Sequence, residues 1–261
     1  MPAVNLENIH IVLQRPRYPE NIGSAARAMC NMGIRHLSVV APENYDLGRV
    51  NKLATHVSAD IVAGIKKYVE LSEALQGFHF VVGTTARLGK QRPVLHSPEK
   101  LAHELVALSQ NNRVAVLFGP EDRGLSNEDL RLCHALVNIP TAEFSSLNLA
   151  QAVMVVCYAL HATVLEEKVV FNPKLANRQQ LDGMYDQLRD ILVRINYINP
   201  GNPDYFMNNL RHFFTRMQLR AREVGIIRGI CRQINWYSGK CYEDGLQGRE
   251  KESALTGDKE T

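Results

Sequence analysis

The five cysteines (Cys30, Cys133, Cys157, Cys231 and Cys241) are scattered, odd in number, and include no CxxC pair. That argues against a disulfide framework or a zinc ribbon and for reduced thiols in a cytoplasmic protein. The nine histidines form no HExxH, and the neighbours Cys133 and His134 have no matching ligand pair nearby, so no metal is expected. No apolar run approaches the length of a membrane helix. The opening residues MPAVNLENIH lack the basic-then-apolar pattern of a secretion signal, and no membrane partner is expected. Two nucleotide signatures are also missing: GxGxxG after a strand, and GxxxxGK[ST]. Their absence weakens dinucleotide and P-loop readings and removes the glycine-rich turn of the commonest methyltransferase fold.

What is present describes a globular protein. The chain has 261 residues, 45% hydrophobic and 22% charged, enough for a main domain plus a small one. Apolar runs at 9–14, 36–41, 78–85, 113–119 and 135–140 read as buried strands, with helical patterns between them, including 21–33 and 147–167. This alternation predicts an α/β fold, a mostly parallel sheet flanked by helices, spanning residues 1–167. Ligands of such sheets sit at the carboxyl ends of the strands. Residues 168–177, interrupted by Pro173, read as a linker. From 178 to 240 the pattern is all helical. Leu181, Met184, Tyr185, Leu188, Ile191, Leu192 and Ile195 make one apolar stripe, broken at 199–204; Leu210, Phe213, Phe214, Met217, Ala221 and Val224 make a second, and a third helix is suggested over 225–237. Residues 241–261 lack apolar periodicity and read as a disordered tail.

Gly83 and Gly119 each follow a strand, where bare backbone lets a flat ligand approach, although a strand-end glycine is also ordinary turn punctuation. Three stretches stand out: NIGSAARA (21–28), LFGPEDRGLS (117–126) and IPTAEFSSLNLAQAV (139–153). In the last, a serine ahead of an apolar run also fits a plain helix cap, with Ser145 the better candidate.

In this order and spacing the three stretches resemble the motifs of the SPOUT-class RNA ribose 2′-O-methyltransferases. Asn21 and Arg27 meet the first, Phe118, Gly119, Glu121, Gly124, Leu125 and Ser126 the second, and Ser145 to Val153 the third. The likeness covers roughly residues 6–165. Within the class it is nearest to the TrmJ kind, whose helical extension LDGMYDQL, NNLRHFFTR and GIIRGI resemble more loosely. The resemblance implies a deep trefoil knot, which no periodicity argument could show. It implies S-adenosylmethionine held by Thr84, Thr85, Ala86, Gly119, Ile139, Ser146, Leu147 and Asn148, and a homodimer with its active site at the subunit interface. Asn21 and Arg27 are then expected to approach the partner's cofactor.

Methyl transfer to a ribose hydroxyl is an in-line displacement in which the protein orients the reactants and manages one proton. Arg27 is the expected support of the developing negative 2′-oxygen, since a guanidinium cannot serve as a base at neutral pH. On pattern alone it also reads as a solvated arginine on an alanine-rich helix face, and Asn21 as a helix cap. Glu121 is expected to position Arg27 or the site's backbone, with Ser146 and Asn148 bonding near cofactor and ribose.

Charge is uneven. Tyr205–Lys240 carries seven basic residues against Glu223 alone, a net +6, whereas Cys241–Thr261 is net −3. Beside an RNA-type catalytic domain, Arg211, Arg216, Arg220, Arg222, Arg228 and Arg232 are expected to meet the tRNA backbone. Tyr205, Trp236 and Tyr237 either stack on nucleotides or pack in the module's core. The expected activity is 2′-O-methylation of cytidine or uridine at tRNA nucleotide 32. The alternatives are another tRNA or rRNA nucleotide, or a non-catalytic RNA-binding member of the fold.

Overall fold

The computed structural model describes residues 2–86, 94–95, 97–143, 146–163, 173–199 and 201–257, with side chains to residue 242. The chain divides into two compact units, Met1–Arg178 and Gln179–Thr261.

The first unit is built on one parallel sheet. Its strands are β1 (Ile9–Gln14), β2 (His36–Val40), β3 (Lys66–Tyr68), β4 (Phe80–Thr84), β5 (Val94–Leu95), β6 (Val114–Phe118) and β7 (Ala135–Val137). They lie in the order β3-β2-β1-β6-β4-β7-β5. The apolar runs mark five of these: β1 in full, β2 and β6 trimmed by one or two residues, and β4 and β7 by three. The edge strands β3 and β5 escape the pattern because they are short and not buried.

Helices cover both faces: α1 (Pro19–Asn31), α2 (Leu47–Ala54), α3 (Ala59–Ala63), α4 (Leu71–Leu75), α5 (Pro98–Leu108), α6 (Asn127–Arg131) and α7 (Leu149–Ala162). Strand residues alternate between faces. Ile9, Ile11 and Leu13 of β1 join Ile22 and Met29 of α1, Leu101 and Leu105 of α5, and Val153 and Val156 of α7. Val12 turns to the other face with Leu71 and Leu75 of α4 and Leu125. Each such large side chain, fully buried, contributes about 1.5–3 kcal/mol. In α1 the buried residues Ile22, Ala25, Ala26 and Met29 recur at helical spacing, which leaves Arg27 on the exposed side.

Two sequence expectations change here. Residues 173–177 are not a free linker. Leu175 and Ala176 are buried, and the Leu175 N–H donates to Oδ1 of buried Asn112 at 2.8 Å. An apolar residue with a paired backbone docks rather than trails. Residues 168–172 lie outside the described residues.

The second unit carries α8 (Arg178–Arg194), α9 (Pro203–Arg216) and α10 (Ala221–Gly257). Its small core holds Leu181, Met184, Tyr185, Ile191, Met207, Val224 and Cys231. The suggested third helix is therefore longer than 225–237. It runs through the expected disordered tail to Gly257, because Glu, Lys, Gln, Arg, Ala and Leu there favour helix without any apolar stripe. Residues 258–261 lie outside the described residues. Among the described residues no helix is long and apolar enough to cross a membrane.

Candidate active site

The register sets three loops side by side at the carboxyl edge of the sheet. Gly83 is level with Leu117, and Thr84 with Val137, so Thr85, Gly119 and Asn138 emerge as neighbours. Side chains then tie the loops together. The Thr84 hydroxyl donates to the Leu117 carbonyl at 3.1 Å, the Thr85 N–H to the Val137 carbonyl at 2.9 Å, and Asn138 Nδ2 to the Thr85 carbonyl at 3.0 Å.

These loops enclose a cavity of about 280 Å³. Thr84, Thr85, Ala86, Gly119, Ile139, Ser146 and Leu147 all line it, joined by Phe118, Leu125 and Leu149. Asn148 instead lines a cleft next to it, which shares Glu121, Ser146 and Leu147 with the cavity.

The two strand-end glycines are small for a reason other than ligand approach. A Cβ on Gly119 would lie 2.3 Å from the Gly124 carbonyl carbon, and one on Gly83 would lie 2.7 Å from Cys133 Sγ. The protein's own chain fills both spaces. Gly124, at φ +67°, makes the turn that brings the loop back against Gly119. Ser126 of the same motif caps α6: it accepts from the Asp129 N–H, while Asp129 accepts from the Ser126 N–H.

Glu121 bonds away from Arg27. Its Oε2 accepts the Arg17 backbone N–H at 2.9 Å and its Oε1 accepts Asn21 Nδ2 at 2.7 Å. Asn21 Oδ1 in turn accepts Asn148 Nδ2 at 3.0 Å, and Asn148 Oδ1 accepts the N–H groups of Ala150 and Gln151. One polar chain thus links the 119–125 loop, α1 and the start of α7. The helix cap belongs to Asn148, in place of the expected Ser145, because its amide bonds the first turn and still has an N–H₂ to spare for Asn21. Ser145 lies outside the described residues. Asn21 is not a cap either, since α1 begins at Pro19 with Tyr18 as the N-cap residue.

Arg27 stays apart. It is exposed, lines neither cavity nor cleft, and makes no hydrogen bond or ion pair among the described residues. The residues that pattern reasoning missed are Asn138, which braces two loops, and Arg17, which acts through its backbone. A polar residue ending the apolar run ALV was the available signal for Asn138; nothing in the sequence marks a backbone donor.

In the helical unit the six arginines separate. Arg216, Arg220, Arg222 and Arg232 are exposed. Arg211 pairs with Asp182 at 3.9 Å and lies over the Tyr185 ring, and Arg228 Nε donates to Gln187 at 3.0 Å. Those two hold the helices together, being long enough to reach α8 from their own helices. Tyr205, Trp236 and Tyr237 are exposed rather than packed in the core. Among the described residues no group of His, Cys, Asp and Glu is arranged to hold a metal.

The model of the SpoU rRNA Methylase family matches residues 8–158, more than half of the chain. The chain is a SpoU-family methylase. A second model, the C-terminal domain of the tRNA methyltransferase TrmJ, matches residues 179–245. The tRNA (cytidine/uridine/adenosine-2′-O-)-methyltransferase TrmJ of Pseudomonas aeruginosa is 36% identical over 86% of this methylase and 93% of its own length. The Klebsiella pneumoniae tRNA (cytidine/uridine-2′-O-)-methyltransferase TrmJ is 35% identical over 88% and 97%. Among solved structures, TrmJ from Z. mobilis superposes with a TM-score of 0.75 at 31% identity, covering 87% of this methylase and 98% of that chain.

Proposed function

We propose that this SpoU-family methylase transfers a methyl group from S-adenosylmethionine to the ribose 2′-hydroxyl of a cytidine or uridine in tRNA, at nucleotide 32 of the anticodon loop. The observation that carries the reading is convergence. Three stretches far apart in sequence meet at one cavity and the cleft beside it, and the polar chain Glu121–Asn21–Asn148 runs along the cleft.

The cavity suits the cofactor chemically. Leu125, Ile139 and Leu147 offer apolar faces to a flat base, the loops offer backbone donors and acceptors, and Glu121 and Asp122 offer negative charge to a sulfonium. S-adenosylmethionine supplies the electrophilic methyl when bound. Thr84, Thr85, Ala86, Gly119, Ile139, Ser146 and Leu147, which line the cavity, would hold it and exclude water, and Asn148, expected among them, stands in the cleft beside it. Asn21 and Asn148, fixed by their mutual bond, orient the ribose beside the cavity, with the Ser146 hydroxyl within the same cleft. Glu121 is a positioning residue whose two accepted bonds hold Asn21 and the Arg17 backbone.

Arg27 steadies the negative 2′-oxygen electrostatically. Its absence from its own chain's cavity supports a homodimer in which it serves the partner's site. The exposed Arg216, Arg220, Arg222 and Arg232 grip the tRNA backbone. The same reading places the enzyme in the cytoplasm, with its substrate.

The test is methylation of bulk tRNA with labelled cofactor, followed by mapping of the modified ribose. A 2′-O-methyl at nucleotide 32 is expected. Methyl found only in rRNA, or on a base, overturns the reading.

A further inference from the structure

The cleft beside the cofactor cavity has a second wall, formed by Tyr18 and Arg49, that none of the three motifs includes. We propose that Tyr18 is the stacking platform for the base of the target nucleotide, and that Arg49, held by Glu20, takes a phosphate next to it.

Tyr18 is preset for this. Pro19 confines the preceding residue to extended backbone, and Tyr18 sits there at φ −111°, ψ 120°. Its carbonyl accepts the Asn21 N–H at 3.0 Å, so the ring's anchor is tied to the residue that bonds Glu121 and Asn148. The residue is 51% exposed. Arg17 backs it, its guanidinium carbon 5.9 Å from the ring centre. Arg17 is itself pinned by Glu43 at 3.1 Å and Asp122 at 3.3 Å. An aromatic ring fixed at its root, cation-backed and open to a cleft beside an RNA methylation site matches the way proteins hold unstacked bases.

Arg49 stands on α2 and lines the same cleft. Its Nε and Nη2 both reach one oxygen, Glu20 Oε1, at 2.7 Å. The guanidinium is thereby oriented, its remaining N–H groups have no partner among the described residues, and the side chain is 48% exposed. That is a geometry for a bidentate oxyanion such as a phosphate. Base platform, ribose-binding asparagines and phosphate donor then lie along one groove. The inference rests on the methyltransferase reading above.

The test uses full-length enzyme and an anticodon stem-loop RNA with the fluorescent cytidine analogue pyrrolocytidine at the methylated position. Wild-type enzyme is expected to quench its stacking-sensitive fluorescence on binding. Tyr18→Leu should lose that quenching and raise KM roughly 5- to 100-fold, the span of a lost base–aromatic stack. Tyr18→Phe should keep both within about twofold. Arg49→Gln should weaken binding and reduce the slope of log affinity against log salt by about 0.7–0.9, one phosphate contact. S-adenosylmethionine affinity, by calorimetry, should hold in all three. Quenching retained in Tyr18→Leu with an unchanged KM overturns the platform, and an unchanged salt slope in Arg49→Gln overturns the phosphate contact. Loss of cofactor binding in Tyr18→Leu marks the role as structural and also overturns the proposal. Wild-type enzyme that methylates nothing is the separate failure of the functional reading.

Discussion

Glu121 spends both carboxylate oxygens on N–H donors, one from the Arg17 backbone and one from Asn21. Replacing it with alanine leaves both donors without their acceptor in a half-buried place, a loss of about 1–3 kcal/mol. We predict that Glu121→Ala lowers the melting temperature by several degrees and reduces kcat more than cofactor affinity. Differential scanning calorimetry and single-turnover assays measure the two effects, and an unchanged melting temperature contradicts the bonding role. Arg27 is the opposite case, exposed and without a hydrogen bond or ion pair among the described residues. Arg27→Ala is expected to abolish turnover at full fold stability and near-normal cofactor affinity; equal loss of turnover and cofactor binding would make it structural. Two histidines taken out of water, His134 fully and His10 in part, set the acid limit. Burial first, then Arg178, pushes His134 down to about 3, and burial, then His36, Arg113 and Lys66, does the same to His10. Unfolded, both titrate near 6.5, so between about pH 3 and 6.5 the unfolded chain binds more protons. The stability tied to their neutral forms is complete above pH 6.5 and lost as pH falls. Melting temperature should therefore drop steadily from pH 7 to pH 5, and less steeply in His134→Asn, whose amide oxygen can still accept the Val81 N–H.

At the scale of elements, the loop 119–125 depends on a contact between two glycines, since a Cβ on Gly119 meets Gly124 and Leu125 backbone at 2.3 Å. Gly119→Ala should leave the sheet folded by circular dichroism and lower S-adenosylmethionine affinity at least tenfold; unaltered affinity would mean that the loop has slack. The same scale shows what a sequence can disclose. Strands β1, β4 and β6 and helix α1 were legible because burial writes a period into their residues. Helix α10 beyond residue 241 was not, because helix propensity without an apolar face leaves no period. The α7 cap was misplaced by three residues for a related reason. Ser145, Ser146 and Asn148 are all good caps, and only the Asn21 contact across 127 residues distinguishes Asn148. Tyr18 and Arg49 were invisible, since a cleft wall formed by two elements has no spacing of its own.

For the whole molecule, motif likeness reached further than periodicity. The cavity residues came from separated stretches whose meeting depends on strand order, which no local pattern contains. A knot and a dimer are likewise properties of the full chain path and of two chains. The division into units carries its own prediction. Removal of residues 179–261 should weaken tRNA binding at least tenfold by filter binding, with cofactor affinity and dimerisation kept; undiminished tRNA affinity would contradict the role given to the exposed arginines. The most direct measurement of this enzyme's activity is mass-spectrometric mapping of tRNA methylated by the pure protein. One new 2′-O-methylribose is expected, at nucleotide 32, present with wild-type enzyme and absent with Arg27→Ala. Methyl on a base, methyl confined to rRNA, or equal methylation by Arg27→Ala would contradict it.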